Sequence, residues 1–415
     1  MTKIMLNGNK KLTGDVSISG MKNNAVAILP GAILTNEEIT IDNIPDISDI
    51  KDIINILKHL NVSVERKNST LKINSKNIKN TQIPKEYSSK LRASYYFMGA
   101  LLARYKEVSI YFPGGCNLGD RPIDQHIKGF EALGATVTID NDLYTIKAKK
   151  LNGAYVYLDM ASVGATINII YAAVLAKGKT VIENAAKEPE VVNIATMLNT
   201  MGAKISGAGT NVIKIEGVKK LNGCYHEVLP DRIEAGTYMI IAALLGNNIK
   251  IKGIIPEHVE ALTLKFKEAG IHIVVKDNYC VISKPNRLKP LKIKTMVFPG
   301  FVTDLQQPIT PLLTQCEGES IVEETIYEDR FRNIPYLNKM GANIVVKKPK
   351  AYIKGKTKLI GKEVIATDLR AGISLVIAGL IAKGTTTILE ADHILRGYEK
   401  LEEKLTKLGA EIRVE

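Results

Sequence analysis

Cysteine is scarce in this chain: Cys116, Cys224, Cys280 and Cys316 lie far apart and form no CxxC pair. That spacing argues against both a structural zinc site and a disulfide framework. Histidine is equally dispersed, since His59, His126, His226, His258, His272 and His393 show no HxxxH or similar metal spacing, which argues against a zinc hydrolase. No stretch approaches the roughly 18 to 20 uninterrupted apolar residues of a membrane span. The opening MTKIMLNGNKKLTG turns polar too soon for a signal peptide. Neither an arginine-rich tract nor an aromatic ladder supports nucleic-acid binding. The expectation is a cytoplasmic protein with no metal, no membrane insertion and no nucleic-acid partner.

With 415 residues, 45% of them hydrophobic and 24% charged, the composition is that of an ordinary globular protein with two domains. The formal net charge of +13 reads either as lysine scattered among Asn and Ile by compositional bias, or as attraction for nucleic acid, an anionic membrane surface or small acidic substrates. Bulk charge does not choose between them.

Self-similarity is the strongest signal. A strand-like cassette recurs as LNVSV from Leu60, LGATVTI from Leu133, MGAKISG from Met201, AGIHIVV from Ala269, MGANIVV from Met340 and LGAEIRV from Leu408, at intervals of 73, 68, 68, 71 and 68 residues. A second cassette runs in phase with it: AILPGAILTNEEITI from Ala27, YFMGALLARYKEVSI from Tyr96, IIYAAVLAKGKTVI from Ile169, IIAALLGNNIKI from Ile240, ITPLLTQCEGESIV from Ile309 and LVIAGLIAKGTTTI from Leu375. Each of these reads as a helix, a polar turn and an alternating strand. The helices are apolar nearly all round, so protein must surround them. INILKHL, HIKGFEALG, LKFKEAG and YEKLEEKLTKLG instead carry charge on one side, as surface helices do. Three α/β units closing around three buried helices, twice over, follow from this pattern.

The residues entering the buried helices are polar: Lys22 and Asn23 in SGMKNNA, Arg92 in KLRAS, Ser162 in MASVGAT, Asp231 and Arg232 in LPDRIEAGT, Asp304 in VTDLQQP, Asp368 and Arg370 in TDLRAG. Capping accounts for Ser and Asp. It gives no reason for Lys or Arg, which the helix dipole disfavours by roughly 0.3 to 1 kcal/mol each, so an anion is expected to compensate them. Parallel helices would bring these ends to one face of each domain, facing each other across a cleft that receives a multiply charged anion. Cys116 sits in FPGGCNLGDRP, where Gly114 and Gly115 permit a mobile turn. It is either an incidental loop cysteine or a thiol made reactive by Arg121.

SGMKNNA, LRAS, PGGCNLGDRPIDQH, SVGAT, ENAAKEPEVV, LPDRIEAGT, DLQQ after its aspartate, EDRF, ATDLRAG and RGYEKLEEKL together resemble the UDP-N-acetylglucosamine enolpyruvyl transferase family, from Lys3 to the C-terminus. The resemblance implies a two-lobed inside-out α/β barrel with three repeated units per lobe. One lobe would be residues 22–229 and the other 1–21 with 230–415, and substrate binding would close them. It implies transfer of the enolpyruvyl group of phosphoenolpyruvate to the 3'-hydroxyl of UDP-N-acetylglucosamine by addition and elimination, with release of phosphate and no cofactor, as the opening step of peptidoglycan precursor synthesis. On that pattern Cys116 protonates the methylene carbon and is the target of fosfomycin, and Asp304 takes the hydroxyl proton. Lys22, Arg121 and Arg396 grip phosphoenolpyruvate, with Arg92 and Arg370 nearby. Asn23 and Ile326 meet the sugar, Arg121, Pro122, Ile123, Asp124 and Gln125 surround the uracil, and Ser162, Val163 and Gly164 hold the diphosphate. Glu188, Asp231, Glu328, Arg330 and Asp368 are expected as supporting or hinge residues. Two positions depart from the pattern: Met160 stands where many relatives have lysine, and Leu395 where some have an acid. The LGNAGT signature of the related shikimate enzyme has no equivalent here. An RNA 3'-phosphate cyclase, which should show its own catalytic histidine, and a noncatalytic anion-binding protein are the remaining alternatives.

Overall fold

The computed structural model describes residues 2–114 and 122–415. It is an α/β structure with six four-stranded sheets of one design. In each, the strand after a buried helix has a parallel neighbour on one side and an antiparallel pair of strands on the other. Lys179–Glu183, for example, lies between parallel Tyr155–Tyr157 and antiparallel Val212–Glu216, which pairs in turn with Lys204–Ser206. The strands alternate inward and outward residues, as in Ile39–Asp42 and Glu107–Tyr111, so each sheet turns one apolar face inward.

All six predicted apolar helices form: Lys22–Gly31, Tyr96–Tyr105, Val163–Ala173, Arg232–Leu245, Gln306–Leu313 and Leu369–Ile381. Every residue of Arg232–Leu245 is buried. The charged helices cover them, as Ser48–His59, Asp124–Ala132, Glu260–Ala269 and Leu401–Lys407.

The recurring glycine of the first cassette has a backbone cause. Gly134, Gly202, Gly270, Gly341 and Gly409 adopt φ of 96°, 100°, 83°, 101° and 100°, and Asn61 takes the sixth place at 68°. Each ends a covering helix in the left-handed conformation that glycine, then asparagine, adopts at least cost.

The chain divides into two compact units. Of the described residues, 20–114 and 122–229 form one, and 2–19 with 230–415 form the other. Each has its own apolar core. In the second unit the N-terminal segment supplies two strands. Ile4–Asn7 inserts between Thr385–Leu389 and Glu411–Val414, and Asp15–Ser17 pairs with Ile249–Lys252. Among the described residues no helix is long and apolar enough to cross a membrane.

Candidate functional site

Three of the helix entries are capped as the sequence suggests. Ser162 Oγ accepts the Ala165 N–H at 3.3 Å. Asp231 Oδ1 accepts from Ile233 and Glu234, and Asp368 Oδ1 from Arg370 and Ala371. These caps use backbone donors that a helix start leaves unpaired.

The cations at the entries need a correction. Lys22 lies 2.9 Å from the buried carboxylate of Asp49, and Arg370 lies 2.9 Å from Asp304. The protein itself therefore supplies part of the negative charge expected from a ligand. Asp49 sits in the first turn of a covering helix, with nothing in the sequence to mark it as the partner of Lys22.

Asp304 does not cap. It lies in a 3-10 turn before Gln306–Leu313, and its two oxygens go to different arginines: Oδ1 to Arg330 Nη2 at 2.6 Å, Oδ2 to Arg370 Nη2 at 2.9 Å. Burial opposes its charge, but Arg370 and Arg330 outweigh that and hold the carboxyl well below the usual carboxylate range. Arg370 Nη1 also donates to Tyr398 Oη at 3.3 Å, and that hydroxyl meets Thr237 Oγ1 at 2.9 Å. The starts of two buried helices and the second turn of a third are thus linked side chain to side chain. Tyr398 follows Arg396 by two residues in the RGYE motif. Arg396 is itself engaged, so Leu395 before it does not leave it unpartnered.

Sequence reasoning missed Glu324. Its buried carboxylate accepts from Thr295 Oγ1 and Thr303 Oγ1, both at 2.9 Å, and from the backbone N–H groups of Ile326 and Tyr327 at 2.8 and 3.2 Å. It fixes the loop carrying Ile326, which is exposed, and joins that loop to the residue before Asp304. A glutamate at the end of a strand gives no signal of this in the sequence. Glu328 lies in the same loop, exposed.

In the other unit, Arg92 opens the 3-10 turn Arg92–Tyr95, and Asn23 lies in the first turn of Lys22–Gly31. Glu188 immediately precedes Pro189–Thr200. Val163 and Gly164 begin the helix behind Ser162, where a Cβ on Gly164 would come within 2.8 Å of both His126 Nε2 and Tyr95 Oη. His126 is buried and stacked edge-on against Tyr95, with centroids 4.9 Å apart. Burial, then the charge of Arg92, push its pKa down to about 3, so it is neutral near pH 7. This fits a structural histidine.

Gln125 is buried, and its side chain is committed internally: Nε2 donates to Asp124 and Asp159, and Oε1 accepts the Asp159 N–H. Pro122 and Ile123 precede the helix Asp124–Ala132, and Met160, the residue after Asp159, is exposed. Cys116 and Arg121, with the loop between them, lie outside the described residues. Among the described residues no three His, Cys, Asp or Glu side chains gather as a metal site.

Six repeated α/β units, each with a buried helix behind a four-stranded sheet, define the class of fold. The family model for EPSP synthase (3-phosphoshikimate 1-carboxyvinyltransferase) matches residues 6–405. The enolpyruvyl transferase NikO from Streptomyces tendae superposes with a TM-score of 0.92 at 23% identity, covering 100% of this chain and 98% of that one. EPSP synthase from Acinetobacter baumannii gives 0.78 at 20% identity, with both chains fully covered; at such identities these two speak for the fold alone. UDP-N-acetylglucosamine 1-carboxyvinyltransferase 2 of Bacillus subtilis is 52% identical over 413 residues, 99% of this chain and 96% of its own length. The Staphylococcus aureus (strain MRSA252) protein of that name is 52% identical over 415 residues, at 99% and 98%. The chain belongs to the enolpyruvyl transferase family, in its UDP-N-acetylglucosamine 1-carboxyvinyltransferase branch.

Proposed function

We propose that this protein transfers the enolpyruvyl group of phosphoenolpyruvate to the 3'-hydroxyl of UDP-N-acetylglucosamine, releasing phosphate, in the cytoplasm at the start of peptidoglycan precursor synthesis. The observation that carries this reading is 52% identity along 99% of the chain to relatives named for that reaction. The shikimate enzyme, whose name the family model bears, is the second reading.

In the addition step the 3'-oxygen attacks C2 of phosphoenolpyruvate while C3 receives a proton from Cys116. Asp304 takes the proton of the hydroxyl. In the elimination step the thiolate that Cys116 became on addition takes a proton back from C3 as the C2–O bond to phosphate breaks, which forms the C2=C3 double bond of the enol ether. Lys22, Arg121 and Arg396, with Arg92 and Arg370, neutralise the donor's phosphate and carboxylate as charge shifts between them. The capped start at Ser162, Val163 and Gly164 offers backbone N–H groups to the diphosphate. Asn23 and Ile326 face the sugar, and the Pro122–Gln125 segment the uracil. Asp231, Asp368 and Arg330 keep these groups in place. We also infer an inside-out α/β barrel in each unit, since three buried helices share one core with three sheets in each.

Phosphate release from phosphoenolpyruvate is the test. Turnover is expected with UDP-N-acetylglucosamine and not with shikimate 3-phosphate, and Cys116→Ala should lose nearly all of it. Turnover of the shikimate ester would overturn the substrate, and full activity in the alanine variant would remove the thiol from the mechanism.

A further inference from the structure

We propose that Asp304 is a base held in reserve: a donor anion frees it by drawing Arg370 away, and Arg330 is the positioning residue that keeps it in place meanwhile. The proposal rests on the function assigned above and adds an order of events to it.

The geometry distinguishes the two arginines. Arg330 and Asp304 meet at 2.6 Å, and the Arg330 side chain is only 2% exposed. Its guanidinium lies 5.4 Å from the ring of Tyr327, whose backbone N–H is tied to Glu324. Arg370 makes the longer contact with Asp304, at 2.9 Å, and its other nitrogen rests on Tyr398 at 3.3 Å, a neutral and longer bond. Both side chains are buried, Arg370 at 7% exposed, but Arg370 divides its guanidinium between Asp304 and a neutral hydroxyl. Asp304 itself is a quarter exposed, so a ligand can reach it.

A carboxylate that gives one oxygen to each of two arginines is ionised but a poor proton acceptor. Withdrawing one cation raises its basicity. A phosphate or carboxylate offers the planar guanidinium a paired set of acceptors that Asp304, already shared with Arg330, does not. Asp231 also acts on Arg370 through its charge, so an incoming anion competes with two carboxylates for that guanidinium. Donor occupancy and base strength are therefore coupled through Arg370. The coupling is reciprocal: whatever anion binding does to Asp304, loss of the Asp304 charge must do to anion binding.

Asp304→Asn is the direct test, with the affinity for inorganic phosphate and for phosphoenolpyruvate measured by titration calorimetry, since the chain has no tryptophan. Both anions should bind roughly tenfold tighter or more in the variant, because residue 304 no longer competes for Arg370 with a charge. Unchanged or weaker binding overturns the proposal. A second measurement stands apart from the folding of that variant: in Arg330→Gln the acid limb of the kcat–pH profile should move up by about one unit or more, and Arg330→Lys should restore most of it. An unmoved limb also overturns it. Absence of wild-type turnover with both substrates would instead defeat the functional reading, and the phosphate titrations would still decide whether Asp304 competes for Arg370.

Discussion

Gly99→Ala reverses the usual expectation for a helix. In an open helix this change stabilises by about 1 kcal/mol, because alanine loses less backbone entropy. Gly99, however, lies in Tyr96–Tyr105 where that helix crosses Val163–Ala173, and its N–H donates to Asn168 Oδ1 at 2.8 Å. A Cβ there would sit 2.3 Å from the Asn168 carbonyl oxygen and 3.0 Å from its carbonyl carbon and Cα. These are backbone atoms of a buried helix, so no side chain can rotate aside. The two helices would have to separate by about 1 Å, since ordinary contacts begin beyond 3 Å. Overpacking typically costs about 1 to 3 kcal/mol and more when backbone must move, so a net loss of about 2 kcal/mol or more remains after the propensity gain. Gly236→Ala is the comparison: it lies in another buried helix but meets chiefly Leu305 methyl carbons, at 2.8 Å, which can shift. Urea unfolding of both variants, followed unit by unit because two cores need not melt together, should place Gly99→Ala well below Gly236→Ala. Equal stability of wild type and Gly99→Ala would refute the close crossing.

Two pH dependences follow from buried titratable groups. His126, neutral in the folded state with a pKa of about 3, is protonated in the unfolded chain below about 6.5. Stability is therefore lost as pH falls, by about 2 kcal/mol between pH 7 and pH 5. His126→Phe should lack that loss when urea midpoints are compared at the two pH values. Glu234 has the opposite sign. Burial, only partly offset by Lys404 at 2.6 Å, raises its pKa to about 7. Its contribution is present below the unfolded value and lost as pH rises through 7, by about 2 to 3 kcal/mol from pH 5 to pH 8. In Glu234→Gln that decline should vanish, and a parallel decline in wild type and variant would assign the effect elsewhere.

The buried helices were legible because they have no polar face, and such a segment can be stable in water only when surrounded. The covering helices and their glycine stops were legible because amphipathic spacing and a left-handed terminus are local requirements, met by residues close in sequence. The caps at Ser162, Asp231 and Asp368 were legible for the same reason: an acceptor and its N–H donors stand within three residues. The clamp on Asp304 was not, although all of its residues were singled out. Arg330 and Arg370 reach it from 26 and 66 positions away, and Asp49 meets Lys22 across a second helix.

By itself the sequence determined the repeat, the burial of six helices and the residue types at their starts, because periodicity and capping act over a few residues. Only the tertiary structure decided which cation meets which carboxylate. Charge pairing in a buried place depends on distances of a few ångströms between segments far apart in the chain, and side-chain identity alone does not encode those distances.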